Sequence, residues 1–185
     1  GDNYLENRFF RVTLNPQTGA VNEIIDKETG RQWVDREAAY RVNQVIVRQP
    51  RTGDVLPHSE SQVQRSEAGP VLASLVVKGS GPGCPQRTQE ITLYDDVKRI
   101  DFATRLLKDA TSHQEIYVAF PFDVDRPHFR FEAAGAIVEP IRDQWPGSNT
   151  STYAVQDWVH AKDSRGGVVF CSREAPLVKL GRLWP

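Results

Sequence analysis

Residues 89–124, QEITLYDDVKRIDFATRLLKDATSHQEIYVAFPFDV, constrain the fold more than any other stretch of the chain. Ile91 and Leu93 alternate with Glu90, Thr92 and Tyr94. After the polar residues 95–98, Ile100, Phe102, Thr104 and Leu106 share one face, and Arg99, Asp101, Ala103 and Arg105 share the other. A period of two with charge on one side specifies strands buried on one face only. Residues 108–112 then lead into a third strand at 115–122. The stretch therefore predicts three consecutive antiparallel strands.

The rest of the chain repeats this grammar. Strands are expected at 8–14, 20–25, 31–34 and 40–48. An edge strand is expected at 61–66, a strong strand at 71–78, and short strands at 127–133 and 136–141. A hairpin of 153–161 with 167–172 follows, and 177–184 opens one more strand. Asn15-Pro16-Gln17-Thr18-Gly19 and Asp26-Lys27-Glu28-Thr29-Gly30 are turns that end on a glycine suited to left-handed backbone. The run from Gly79 to Pro85 is expected to break the strand before it. Residues 34–40 are the only weak helical stretch. About a dozen short strands with turn signals between them indicate an all-β sandwich, read as one domain over 1–185.

Charge and composition narrow the function. The chain has 23 basic and 24 acidic residues among 185, which argues against a broad electrostatic surface for nucleic acid or an anionic membrane. No apolar run approaches the roughly 18 residues of a membrane span, and GDNYLEN has no signal-peptide character. Cys84 lies in a Gly/Pro loop and Cys171 in an apolar strand, a pair read as free thiols of a reducing compartment. The expected location is cytoplasmic. The absence of methionine leads to the expectation of a piece cut from a longer protein.

Motifs for catalysis are sparse. His58, His113, His128 and His160 lack partners at zinc-site spacing, so no metal site is expected from this chain. Asp95-Asp96 and Asp123/Asp125 resemble paired carboxylates, but adjacent residues of a strand point to opposite faces and Asp is ordinary at strand ends. Glu132, between Phe131 and Ala133, needs a partner if it faces inward; Arg130 is expected on the other face. No nucleophile elbow, P-loop or dinucleotide fingerprint is present, and no catalytic residue is assigned. Trp33 and Trp158 are expected in the core. Trp145 lies in a Pro/Gly loop and, with Tyr153 and Glu132, is the candidate carbohydrate contact; aromatic rings stack on the C–H faces of sugars.

Three segments carry a resemblance. Residues 6–35, ENRFFRVTLNPQTGAVNEIIDKETGRQWVD, resemble the opening of the C-terminal β-domain of family 38 glycoside hydrolases, the α-mannosidases. Arg99-Ile100-Asp101-Phe102, followed by Val118-Ala119-Phe120-Pro121-Phe122, is similar to that family's Arg-Ile-Asp-Phe…Ala-Phe-Pro meander. Residues 155–159 with 167–169 resemble its Gln-x-Trp-Val-Asp…Gly-Val hairpin. His160 departs from a frequent Asp, and the tail after Cys171 is compressed.

The resemblance implies a supersandwich of the galactose-mutarotase-like type, packed beside a catalytic barrel that carries zinc and the Asp nucleophile. None of those motifs is in this chain. The expected function is a catalytically silent accessory domain of a hydrolase acting on α-mannosides, with the catalytic domain and mannosides as partners. The alternatives are a free-standing aldose epimerase or polysaccharide lyase on the same fold, using His113 or His128 with Glu132, or a plain carbohydrate-binding module. The charged face with Arg99, Asp101 and Arg105 is the expected packing surface for the catalytic part.

Overall fold

The computed structural model describes residues 3–111 and 113–181 and contains sixteen strands and no helix among them. The chain forms two compact units, Gly1–Asp123 and Val124–Pro185. The reading of one domain over 1–185 placed no boundary at that point.

The first unit starts from two copies of one turn. β1 (Tyr4–Glu6), β2 (Phe10–Leu14) and β3 (Val21–Asp26) form a three-stranded antiparallel sheet. After β2, Asn15 Oδ1 accepts from the backbone N–H of Gln17 and of Thr18, at 2.8 and 3.1 Å. After β3, Asp26 Oδ1 accepts from the N–H of Glu28 and of Thr29, at 2.9 and 3.2 Å. The threonine hydroxyls then accept from Ala20 and Arg31 N–H. Each turn closes on a glycine at φ +71°, Gly19 and Gly30, whose N–H donates to the Asn15 or Asp26 carbonyl. Side chains thus supply the hydrogen bonds that the strands stop supplying. Two isolated bridges, Ile25 with Gln32 and Val34 with Phe122, replace the strand expected at 31–34, and 34–40 forms bends rather than helix.

β4 (Gln44–Arg48), β5 (Val55–Leu56) and β10 (Glu115–Ala119) form a second three-stranded sheet in the order β10-β4-β5. β4 is shorter than expected at its start because Asn43 takes φ +63°, a left-handed conformation that asparagine tolerates. β6 (Gln62–Ala68), β7 (Leu72–Gly81), β8 (Cys84–Tyr94) and β9 (Ile100–Leu107) form a four-stranded sheet in sequence order. Leu5, Val12, Leu14, Val21, Ile24, Val34, Val42, Leu75, Val77, Ile91 and Leu93 are buried together, with Phe102 and Phe120 packed against them.

The stretch from 89 to 124 is therefore two strands of one sheet and one of another. β8 and β9 pair from Gln86↔Leu107 to Leu93↔Ile100. β10 leaves them and pairs with β4, from Glu115↔Arg48 to Ala119↔Gln44. Periodicity reports which face of a strand is buried, not which strand lies beside it. The connection 108–114 is long enough to cross between sheets, and the Arg48–Glu115 ion pair at 2.8 Å marks where β10 joins β4. The Gly79–Pro85 run also differs from expectation. β7 continues to Gly81 and β8 starts at Cys84, so the run is a tight hairpin inside the sheet.

The second unit is built on a four-stranded antiparallel sheet ordered β12-β11-β14-β15: β11 (His128–Ala133), β12 (Ala136–Val138), β14 (Trp158–Asp163) and β15 (Gly166–Cys171). β13 (Tyr153–Ala154) pairs with β16 (Leu177–Val178). Phe131, Tyr153, Val155 and Val159 form its core, flanked by Phe129, Val138 and Val178. Of the strand expected at 177–184, β16 covers Leu177–Val178; Trp184 lies outside the described residues.

Candidate functional site

β12 and β13 are joined by a long loop, 139–152, that shapes the most exposed aromatic surface of the second unit. Its start is fixed by Glu139, whose carboxylate is only 12% exposed. Arg142 donates to Glu139 Oε2 at 2.7 Å, and Arg130 of β11 donates to Oε1 through Nε and a terminal nitrogen at 3.0 and 2.8 Å. His128 Nε2 lies 3.3 Å from Oε2. Hydrogen bonds from Arg142 and then Arg130 hold the Glu139 pKa down at about 2.

The loop then bonds to itself. Glu139 N–H donates to Asp143 Oδ2, Ile141 N–H to Gln144 Oε1, and Gln144 Nε2 to the Asn149 carbonyl. Ser148 donates to the Trp145 carbonyl from both its N–H and its hydroxyl. Ile141 is held at φ +71°, a conformation that β-branched residues avoid, and is 72% exposed. Trp145 is 88% exposed. The loop thus holds both a tryptophan and a strained isoleucine in water.

The three residues expected to touch carbohydrate are placed differently from one another. Trp145 stands at the loop surface. Tyr153 is 5% exposed and packs against Phe131 with ring centroids 5.2 Å apart, so its ring supports the loop's far end from the core and offers no stacking face. Glu132 is half-buried on β11 opposite Ile137 of β12. Phe129, Phe131 and Ala133 face the core, so Glu132 lies on the opposite face, together with Arg130. This corrects the expected separation of Arg130 from Glu132, because residues two apart in a strand share a face. Beside these three, the structure gathers His128, Arg130 and Arg142 around Glu139 at the start of the loop. The Trp-Pro-Gly signal marked the loop, but nothing in the spacing shows that Arg130 and Arg142 converge on Glu139.

The charged face of β9 forms a second surface, in the first unit. Arg99 pairs with Asp101 at 2.8 Å and lies over the Tyr94 ring at 4.9 Å. The Tyr94 hydroxyl donates to Asp101 Oδ2 at 2.8 Å. Arg105 is exposed. Tyr94 and Thr92 also line a shallow groove with Glu67, Pro70, Val71, Leu72 and Glu90.

The remaining carboxylates and thiols are spread over both units. Asp95 and Asp96 are exposed in the β8–β9 turn, where Asp96 pairs with Arg8 at 2.9 Å. Among the described residues no three of His, Cys, Asp and Glu converge as metal ligands. Cys84 is buried and Cys171 exposed, both as free thiols. No helix among the described residues is long and apolar enough to cross a membrane. Trp33 and Trp158 are half-buried; Trp33 packs against the core and Arg31 covers its ring at 3.8 Å.

No curated protein matches the chain in sequence. The family model described as "Glycosyl hydrolases family 38 C-terminal domain" matches residues 5–175, which include both surfaces, so the chain belongs to that family.

Proposed function

We propose that the chain is a catalytically silent accessory domain of a family 38 glycosidase acting on α-mannosides. The observation that carries the reading is the family match over residues 5–175. Among the described residues no group of three His, Cys, Asp or Glu side chains is placed to hold a metal, which fits a chain that leaves zinc to another domain. In this reading a separate catalytic domain of the same protein supplies zinc and the nucleophile. Arg99, Asp101 and Arg105 form the surface that packs against that domain, and the fold is of the galactose-mutarotase-like type.

Trp145 is the sugar contact in this reading, with Glu132 of the same unit as a hydrogen-bond acceptor and Tyr153 as a support of the loop. Glu139 serves to hold the loop. A carboxylate held at about 2 by two arginines stays ionised and cannot shuttle protons near neutral pH.

The test is a titration of the chain with mannose and mannobiose, followed by backbone NMR shifts of residues 139–152. Saturable shifts at millimolar sugar support the carbohydrate contact. Unchanged spectra leave a purely structural accessory domain and remove Trp145 from the account.

A further inference from the structure

Arg87 lies on the inward face of β8, in line with Gln89, Ile91 and Leu93. It is 5% exposed. One terminal nitrogen donates to Ser61 Oγ at 2.7 Å, while its Nε is buried without a partner. No carboxylate pairs with it among the described residues, and the free thiol of Cys84 is buried three residues before it on the same strand. Gly79 lies so close that a Cβ there would stand 2.9 Å from both the guanidinium and Ser61 Oγ. The backbone has given up a side chain to admit this one.

Its surroundings hold further buried polar atoms without partners. The His58 ring nitrogens are buried and face the carbonyls of Ser80 and Val45 without completing a well-formed bond. The charge of Arg87 also disfavours protonation of His58, after burial itself. One strand position on, Gln89 Nε2 donates to the Asn43 carbonyl at 2.6 Å, and the Asn43 side chain is buried with neither polar atom paired. A buried guanidinium is ordinarily matched by an acid. The Nε donor, buried and unpaired on a charged group, leaves a place for negative charge.

We propose that Arg87, with His58 and Ser61 beside it, binds a small monovalent anion of the chloride class inside the first unit. Burial of Arg87, Ser61 and Cys84 excludes phosphorylated or carboxylated sugars and limits the ligand to a small ion. The bound ion supplies the counter-charge that the sequence withholds, and so couples the β7–β8 hairpin to the segment carrying His58 and Ser61.

The experiment uses the whole chain in sodium chloride and in sodium gluconate at equal ionic strength. The proposal expects the thermal midpoint to be higher in chloride by about 3 °C, saturating at millimolar concentration. It also expects broadening of the chloride-35 NMR line, relieved by bromide. Arg87→Met is expected to lose the broadening. If that variant does not fold, the measurements on the unmodified chain decide. Equal midpoints in the two salts with no broadening overturn the proposal, as does chloride broadening unchanged in folded Arg87→Met.

Discussion

Phe102 and Phe120 meet edge to face, with ring centroids 5.3 Å apart and planes inclined by 74°. Phe102 belongs to β9 of the four-stranded sheet, and Phe120 follows β10 of the β10-β4-β5 sheet. The contact joins two sheets where a continuous meander would have made the two residues members of one. Both rings are partly buried against the main core. Phe102→Ala is therefore expected to cost about 2–3 kcal/mol, at the low end for phenylalanine truncation. Denaturant unfolding of both single variants and the double variant is expected to show a coupling of about 1 kcal/mol. Strict additivity would mean that the edge-to-face contact contributes nothing of its own.

The twin turns give a controlled comparison. Gly19 and Gly30 share φ +71°. A Cβ on Gly30 would meet open space, whereas one on Gly19 would stand 2.1 Å from a methyl of Val77, a fully buried core residue. Gly30→Ala should cost about 1 kcal/mol, the left-handed backbone penalty alone. Gly19→Ala should cost about 3 kcal/mol, because overpacking adds to it. Denaturation midpoints of the two variants measure the difference directly; equal losses would mean that Val77 yields freely.

Loop 139–152 should depend on acid. Glu139 has its folded-state pKa lowered from 4.5 to about 2 by its arginine partners. A depressed carboxylate contributes stability that is present above about pH 4.5 and is lost as pH falls towards about 2. Amide protection of residues 141–151, taken relative to the intrinsic exchange rate at each pH, should hold down to about pH 4.5 and fall below it. In Glu139→Gln the same amides should be less protected at every pH. A Glu139→Gln loop as protected as the unmodified one at pH 7 would show that the loop's own hydrogen bonds suffice.

Trp145→Ala tests contact against folding. At 88% exposure the ring contributes little to stability, so the unfolding midpoint should change by no more than about 0.5 kcal/mol equivalent. Mannobiose-induced shifts in the loop should disappear. A large loss of stability would place the ring in a packing role instead.

Local chemistry was readable in the chain, and long-range pairing was not. Asn15, Thr18, Gly19, Asp26, Thr29 and Gly30 announce both turns, because each hydrogen bond closes within five residues. The buried face of β8 follows from the alternation of Ile91 and Leu93. The neighbour of β10 does not, since Glu115 reaches across 67 positions to Arg48. The same limit hid the candidate site. Trp145-Pro146-Gly147 reveals a loop, but the convergence of His128, Arg130 and Arg142 on Glu139 depends on β11 and β12 pairing first. Tyr153 was expected at the surface because its alternation with Val155 was not visible as a core stripe until β13 paired with β16.

The central claim is that this family 38 C-terminal domain performs no hydrolysis by itself. Hydrolysis of an aryl α-mannoside by the chain, with and without added zinc, measures it most directly. The account predicts no turnover above the buffer rate in either condition. Zinc-dependent turnover that scales with the concentration of the chain would contradict it.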